Sequence, residues 1–188
     1  SYEGAYLMRV GESLTPMSED MLRRIFAEGS PDFLLRYAHS NASAEDVVML
    51  LDTQSYFDLM QLPYPATRDA VLERLAQEQL VVESDDCWNI TNLGALLFAK
   101  DLRQFGALSR KAPRVIVYKG NNKIETVREQ IGVKGYAVGF EGLFGYINSL
   151  LPANEVIGQA LRTETRMYPE IAIRELVANA LVHQDLED

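Results

Sequence analysis

Three residues near the end of the chain have side chains that could take part in chemistry, and they recur at every fourth position. They are Glu175, Asn179 and His183, within the segment "RMYPEIAIRELVANALVHQDLED" of residues 166–188. At about 100° per residue, this spacing places the three side chains in one stripe along a helix. A glutamate can take a proton from water, and an asparagine offers an oxygen ligand to magnesium. The stripe is therefore a candidate site for a hard cation and an activated water molecule.

The helix that would carry this stripe is otherwise apolar. Pro169 sets the backbone angle of a first helical turn, and Glu170 suits the positive end of a helix, so the sequence predicts a helix over residues 171–183. Apolar residues cover most of its surface, on one broad face and beyond it: Ile173, Leu176, Val177, Ala180 and Leu181, with Ala172, Ala178 and Val182. We expect such a helix to be largely buried.

A buried stripe has two explanations. Glu175 and Asn179 could bond to neighbouring elements, and a lone histidine at the end of a helix, such as His183, is more often a partner of the helix dipole than a catalyst. Leaving such groups buried without partners costs about 1–3 kcal/mol each. A ligand or a metal ion along the helix is the second explanation.

Composition limits the function classes. The chain has 188 residues and a net charge of −9. A negative surface repels phosphate groups, so this charge disfavours nucleic-acid binding by this segment. No apolar run approaches a membrane span, and the first residues, which begin with Ser1, lack the layout of a signal peptide. We therefore expect a cytoplasmic protein with no membrane partner, and the chain reads as an excised segment.

With the single cysteine Cys87 and only two histidines, His39 and His183, neither a disulfide nor a closed zinc site is expected.

The elements that must position the stripe indicate an α+β fold in three parts. Residues 1–17 alternate as a strand, with Tyr6, Met8 and Val10 on one side, and end at Gly11 and Pro16. Residues 18–104 are predicted to be mostly helical, with a tight hairpin around "SDD" after the third helix. The predicted helices are Glu19–Glu28, Ser43–Asp52, Thr67–Gln79 and Leu93–Leu102.

Local signals support these boundaries. Ser43 and Asp46 resemble a capping box. The hairpin strands are predicted at Leu80–Glu83 and Cys87–Ile90. We expect Phe98 to be buried where the helical part meets the next part.

Residues 105–188 are predicted to mix strands and helices. "RVIVYKG" reads as a buried strand, "GQALRTETRMY" reads as an alternating strand, and a glycine-rich loop leads into a helix that runs to Leu150. The glycines at 132–145 match neither a phosphate loop nor a dinucleotide fingerprint, so they are interpreted as loop and packing glycines.

A helix followed by a hairpin, "AVLERLAQEQLVVESDDCWNIT", is the layout of a winged helix, whose helix would enter the major groove of DNA. The predicted helix, however, carries more acidic than basic side chains: Asp69, Glu73 and Glu78 against Arg68 and Arg74. A structural or docking role is favoured over DNA reading.

"RELVANALVHQD" resembles the N-box helix of the GHKL ATPases, whose pattern is E-x-x-x-N-A. More closely, "YPEIAIRELVANALVHQDL" resembles the "YP..A.RE...NA..HRDY" signature of a bacterial and archaeal family of transcriptional regulators. In that family, a Schlafen/AlbA-like DNA-binding domain precedes a divergent histidine-kinase-like ATPase domain. "WNITNLGALLFAKDLRQF" is similar to the family's "LTNAG-LLFGKDP-RF" segment, and "AYLMRVGESLTPMS" is similar to the exit of its DNA-binding domain. Members are often labelled helicase-related, although this sequence contains no helicase motif.

The resemblance implies roles for two residues of the stripe. Glu175 would be the general base that activates the attacking water, and Asn179 would bind the cofactor by ligating magnesium beside the ATP phosphates. His183 and Asp185 match the family's "HRD", but Gln184 stands between them, and the trio receives no chemical role.

The resemblance also implies an organisation. Residues 1–17 would be the exit strand of the upstream domain, residues 18–104 a winged-helix-like linker module, and residues 105–188 the start of a GHKL-like domain, truncated after the N-box helix. The D-x-G-x-G segment for adenine and the glycine-rich lid do not occur before Asp188. ATP and magnesium are therefore expected in a parent protein and not in this segment, which would be inactive alone. DNA would bind through the upstream domain, and whether the parent hydrolyses ATP or forms a homo-oligomer stays open. The alternative is a stand-alone winged-helix module that binds DNA or another protein and has no ATPase role.

Overall fold

The structure is a computed structural model, and it describes residues 7–10, 13–16, 18, 33–120, 123–157 and 162–186. Over these ranges, helices are combined with small antiparallel sheets, which is the α+β class that the sequence predicts. The helices are α1 (Ala44–Leu50), α2 (Thr53–Leu59), α3 (Arg68–Gln77), α4 (Asn92–Phe98), α5 (Tyr136–Leu150) and α6 (Glu170–Val182). The strands are β1 (Leu7–Val10), β2 (Ser13–Pro16), β3 (Tyr37–Ala42), β4 (Val81–Ser84), β5 (Cys87–Thr91), β6 (Arg114–Tyr118), β7 (Thr126–Ile131), β8 (Ala153–Ile157) and β9 (Arg162–Arg166). No helix in the described ranges has both the length and the apolar character needed to cross a membrane.

The predicted hairpin around "SDD" is confirmed. Strands β4 and β5 pair in antiparallel fashion with Ser84 opposite Cys87, which leaves a two-residue loop. The loop residues Asp85 and Asp86 have φ of 41° and 53°. Two consecutive positive φ angles match the twist of a hairpin, and aspartate tolerates this region better than most residues.

A third strand completes the sheet and was not predicted. β3 pairs with β5, so the strand order is β3–β5–β4. Its sequence "YAHSNA" lacks a run of large apolar residues and is interrupted at Asn41, which has φ of 58°. The irregularity is stabilised from the neighbouring strand, because the Asn41 backbone N–H donates to Oδ1 of the buried Asn89 at 3.0 Å.

Local capping explains where the first helices begin. The predicted capping box is confirmed: Ser43 Oγ accepts from the Asp46 backbone N–H, and the Asp46 carboxylate accepts from the Ser43 N–H. The sequence prediction missed α2, which begins after Asp52, whose carboxylate accepts from the Ser55 N–H at 3.1 Å.

One core fills the space between the three-stranded sheet and helices α1–α4. Phe98 is only 7% exposed, so its predicted burial is confirmed, and its ring meets the ring of Tyr56 edge-on at 5.5 Å. The largest fully buried side chains belong to Phe57, Leu51, Leu72, Leu75, Ile90, Leu96 and Leu102. Residues 33–108 therefore hold most of the buried apolar surface that the structure describes.

The remaining strands form separate two-stranded ladders, β1–β2, β6–β7 and β8–β9. The strand predicted over residues 1–17 is confirmed at Leu7–Val10, but Ser13–Pro16 forms a second strand that pairs with it. Strand β6 is confirmed, but it is only half-buried, since its partner β7 is exposed throughout. The sequence prediction missed β7 and β8. The predicted helix Glu19–Glu28 lies outside the described residues.

Candidate functional site: the exposed face of helix α6

Helix α6 runs from Glu170 to Val182, between Pro169 at its N-cap and His183 at its C-cap. The helix predicted over residues 171–183 is thus confirmed to within one residue. Its predicted burial is wrong, because no residue of α6 is buried. An almost all-round apolar surface indicated burial, yet among the described residues the helix packs on α5 along one side.

The packed side of α6 is a sector of about 140°. Its half-buried residues are Ile173, Arg174, Val177, Ala178 and Leu181. These residues mark the part of the helix surface that packs on α5. Leu176 and Ala180, which the sequence places on the same broad face, remain exposed.

The stripe lies opposite the packed side. Glu175, Asn179 and His183 are exposed and stand in the middle of the outward face. Large apolar side chains flank them, with Val182 73% exposed on one side and Leu176 65% exposed on the other. A polar centre between apolar margins is unusual for a solvated helix face, which is normally polar throughout.

The three stripe residues are not engaged with the rest of the described chain. Within the described ranges, no hydrogen bond or ion pair involves the side chain of Glu175, Asn179 or His183. The explanation by bonds to neighbouring elements therefore finds no support there. Glu175 and Asn179 offer a carboxylate and a carboxamide oxygen, and such hard oxygen ligands fit magnesium.

Two ligands do not complete a cation site. In the part of the chain that the structure describes, no cluster of three or more His, Cys, Asp or Glu side chains is arranged to hold a metal. A magnesium ion at the stripe would need further oxygen ligands, such as water or phosphate, which matches the way this ion is usually bound.

Arg174 links the packed side of α6 to α5. Its guanidinium binds the Glu141 carboxylate of α5 through two bonds, of 2.6 and 2.9 Å, and lies 4.5 Å from the centre of the Phe144 ring. The hydrogen bonds from Arg174 hold the pKa of Glu141 below its usual value. The ion pair is exposed and contributes little to stability by itself, but a bidentate contact with an adjoining ring leaves the helix little freedom to rotate.

A second contact holds the C-terminal end of α6. Gln184 Nε2 lies 3.1 Å from the Tyr136 hydroxyl, which in turn donates to the Lys111 carbonyl oxygen at 2.7 Å. Burial raises the pKa of Tyr136, and the hydrogen bond from Gln184 partly opposes that rise. Sequence reasoning missed these contacts, because nothing in a local pattern pairs residues that are 25 or 48 positions apart.

In the described part of the chain, two grooves lie next to α5, and no stripe residue lines either of them. One has a volume of about 460 Å³ and lies beside strand β6, with Gly139 and Gly142 in its wall. The other, of about 300 Å³, is apolar and is lined by residues of α4, α5 and α6.

The interpretation of the glycines as packing glycines is confirmed for Gly135, which is buried against the end of α4. Gly142 and Gly145 have open space instead.

Helix α3 and the β4–β5 hairpin are the candidate DNA-reading elements, and their charge is unsuited to that role. The side chain of Arg74 donates to the Tyr56 hydroxyl at 3.0 Å and to Glu78 at 2.7 Å. The tip of the hairpin carries the exposed acids Glu83, Asp85 and Asp86. A phosphate backbone that approached these elements would meet mainly negative charge.

Comparison with known proteins adds information on the fold alone. No protein-family model matches the sequence, and no curated protein matches it significantly. The structure is similar to the crystal structure of the DIP2311 protein from Corynebacterium diphtheriae, with a TM-score of 0.51 and 16% sequence identity. The similarity covers 98% of this chain and 35% of that protein, so the chain spans about a third of the length of its structural relative.

Proposed function

We propose that the chain is the central part of a cytoplasmic DNA-binding transcriptional regulator, which links an upstream DNA-binding domain to a GHKL-like ATP-binding domain. In this proposal, α6 is one wall of the ATP site, and residues 18–104 form the linker module. The adenine-binding and lid segments would come from a downstream half of the parent protein. The chain alone would then be inactive.

One observation carries the proposal. The polar stripe of Glu175, Asn179 and His183 occupies the centre of an exposed helix face, has no partner within the described ranges, and is bordered by exposed apolar side chains. A surface with a hard-oxygen centre and apolar margins suits a ligand that has both phosphates and an apolar ring. It also suits the protein segments that would cover such a ligand.

The two stripe residues would have different tasks. The Glu175 carboxylate would accept a proton from the attacking water, which affects the chemical step. The Asn179 carboxamide oxygen would hold magnesium beside the phosphates, which affects binding. The ion would supply charge neutralisation on the phosphate oxygens.

The test uses a protein that carries this chain together with the downstream half. Glu175→Ala should leave the Kd for ATP largely unchanged and lower kcat by about a hundredfold or more, since a general base acts only in the chemical step. Asn179→Ala should weaken magnesium-dependent ATP binding. Glu73→Ala, an exposed carboxylate on α3, is the matched control and should change neither. If both stripe variants bind and turn over ATP as the unchanged protein does, the stripe is structural and the proposal is wrong.

The chain alone offers a second measurement. Magnesium and ATP should not raise its melting temperature, because the segments that would enclose the nucleotide are not in this sequence. A nucleotide present at a hundredfold excess over its Kd would add about 2.7 kcal/mol to the free energy of unfolding, so binding would be easy to see. A clear rise in the melting temperature would show that this segment alone binds the nucleotide.

The alternative is a winged-helix module that binds DNA or another protein without any ATPase role. The three-stranded sheet and the helix α3 that precedes its hairpin favour this candidate. The acidic hairpin tip and the engaged Arg74 oppose its DNA-binding form. Fluorescence anisotropy with mixed duplexes should show no specific binding at physiological salt. Tight binding that weakens steeply with salt would favour the alternative.

A further inference from the structure

The hydroxyl group of Tyr136 lies where three parts of the chain meet. It is 2.7 Å from the carbonyl oxygen of Lys111 and 3.1 Å from Nε2 of Gln184. A carbonyl can only accept, so the hydroxyl donates its proton to Lys111 and accepts from the Gln184 amide. The same amide nitrogen also donates to the Leu181 carbonyl at 2.8 Å. The bonds therefore have a fixed direction, from Gln184 to Tyr136 to Lys111.

This hydroxyl is close to the contact between the first turn of α5 and the end of α4, which belongs to the linker module. The neighbouring residue, Gly135, is buried, and its backbone N–H donates to the Ala99 carbonyl at 2.8 Å. Tyr136 itself is half-buried, and hydrogen bonds are stronger where water is partly excluded. The first turn of α5 thus holds the end of α4, the segment before β6 and the residue that follows the C-cap of α6.

We propose that the Tyr136 hydroxyl couples the ligand-facing stripe of α6 to the linker module. Through its two hydrogen bonds, a change in the conformation of the C-terminal end of α6 alters the packing of α5 on α4. A change in that packing in turn alters the end of α6. This inference rests on the proposed function, because it supplies the route by which nucleotide and DNA-binding states would influence each other.

The position of Gln184 explains why the stripe would be affected. Gln184 directly follows His183, whose backbone N–H closes the last turn of α6 on the Asn179 carbonyl at 3.0 Å. Two of the three stripe residues therefore belong to the turn that the Gln184 amide anchors. Coupling of this kind is reciprocal in free energy, so it can be measured from either end and without a ligand.

The test reverses the direction of one hydrogen bond in the full 188-residue chain. In Gln184→Glu, the new carboxylate cannot donate, so it competes with the Lys111 carbonyl for the Tyr136 proton. By NMR, the Lys111 carbonyl carbon should shift, and amide exchange at Gly135 should rise about five- to tenfold, as the loss of one ordinary hydrogen bond would produce. Gln184→Leu removes the donor without adding an acceptor and should leave the Lys111 signal near its original position.

The comparison background is Tyr136→Phe, in which Gln184→Glu should change neither the Lys111 signal nor the exchange at Gly135. Tyr146→Phe, a half-buried tyrosine on the same helix, is the matched control and should preserve both responses. Equal responses to Gln184→Glu and Gln184→Leu, or responses that persist in Tyr136→Phe, would overturn the coupling. No nucleotide enters this experiment, so its failure is distinguishable from a failure of the ATP-site proposal.

Discussion

The backbone N–H of Gly135 donates to the carbonyl oxygen of Ala99 at 2.8 Å, and this bond seats the first turn of α5 on the end of α4. A β-carbon at position 135 would lie 2.5 Å from the Leu97 carbonyl oxygen and 2.7 Å from the Ala99 nitrogen. Both are backbone atoms, which cannot move aside as a flexible side chain can. The close approach of the two helices therefore depends on glycine.

Gly135→Ala should destabilise the chain by about 1–3 kcal/mol, the usual cost of overpacking a tight contact. Denaturant unfolding would measure the loss. Gly142→Ala is the matched control on the same helix, where a β-carbon would meet nothing within 4 Å. The control should stabilise by about 0.5–1 kcal/mol, because glycine is a poor residue for a helix interior. Equal losses of unfolding free energy at the two positions would contradict a close contact between Gly135 and the end of α4.

Thr91 joins the hairpin to α4 through one buried hydroxyl group. The hydroxyl donates to the Gln79 carbonyl at 2.8 Å and accepts from the Gly94 N–H at 3.0 Å. Thr91→Val keeps the shape of the side chain but leaves these groups unpaired, so the free energy of unfolding should fall by about 1–3 kcal/mol. Thr67→Val removes the exposed cap of α3, a bond of 3.4 Å, and should cost less than about 1 kcal/mol. A smaller loss at Thr91 than at Thr67 would show that the buried hydroxyl is dispensable.

Phe98 should be a major contributor to core stability. It is 7% exposed and packs edge-on against Tyr56. Phe98→Ala should lower the free energy of unfolding by about 3–5 kcal/mol. Phe98→Leu, which keeps most of the apolar volume, should lower it by less than about 1.5 kcal/mol. If the alanine variant loses below about 1 kcal/mol in denaturant melts, Phe98 is not part of the core in solution.

The attachment of α6 to α5 should weaken in acid. Arg174 holds the pKa of Glu141 below the usual value of 4.5. A folded-state pKa that is lower than the unfolded one contributes stability above the unfolded value, and this contribution is lost as the pH falls through the folded value. Amide exchange in α6, compared between about pH 6 and about pH 3, should therefore show a loss of protection.

Glu141→Gln is the control for this pH dependence. It cannot ionise, so its α6 amides should lack the acid-dependent part of the change and should already be less protected near neutral pH. The effect should be modest, since the Arg174–Glu141 pair is exposed to solvent. An unchanged acid response in Glu141→Gln would assign the weakening to other carboxyl groups.

Several elements of this protein could be predicted from the sequence because their causes are local. The capping box of Ser43 and Asp46 joins residues three positions apart, and the turn at Asp85 and Asp86 depends on two backbone angles. The extent of α6 and the spacing of its polar stripe follow from helical geometry alone. None of these features depends on a partner that is distant in the chain.

The tertiary structure decided which face of α6 is exposed. Apolar residues nearly surround that helix, so periodicity predicted burial, which is wrong, and left its orientation undetermined. The Arg174–Glu141 contact, across 33 residues, lies on the side of α6 that packs together with Ile173 and Val177, and Glu175 and Asn179 face outward. Strand β3 has the same kind of cause, since its polar sequence becomes a strand only by pairing with β5. The free energy of such long-range contacts arises only when distant segments meet, so no local window of the sequence contains it.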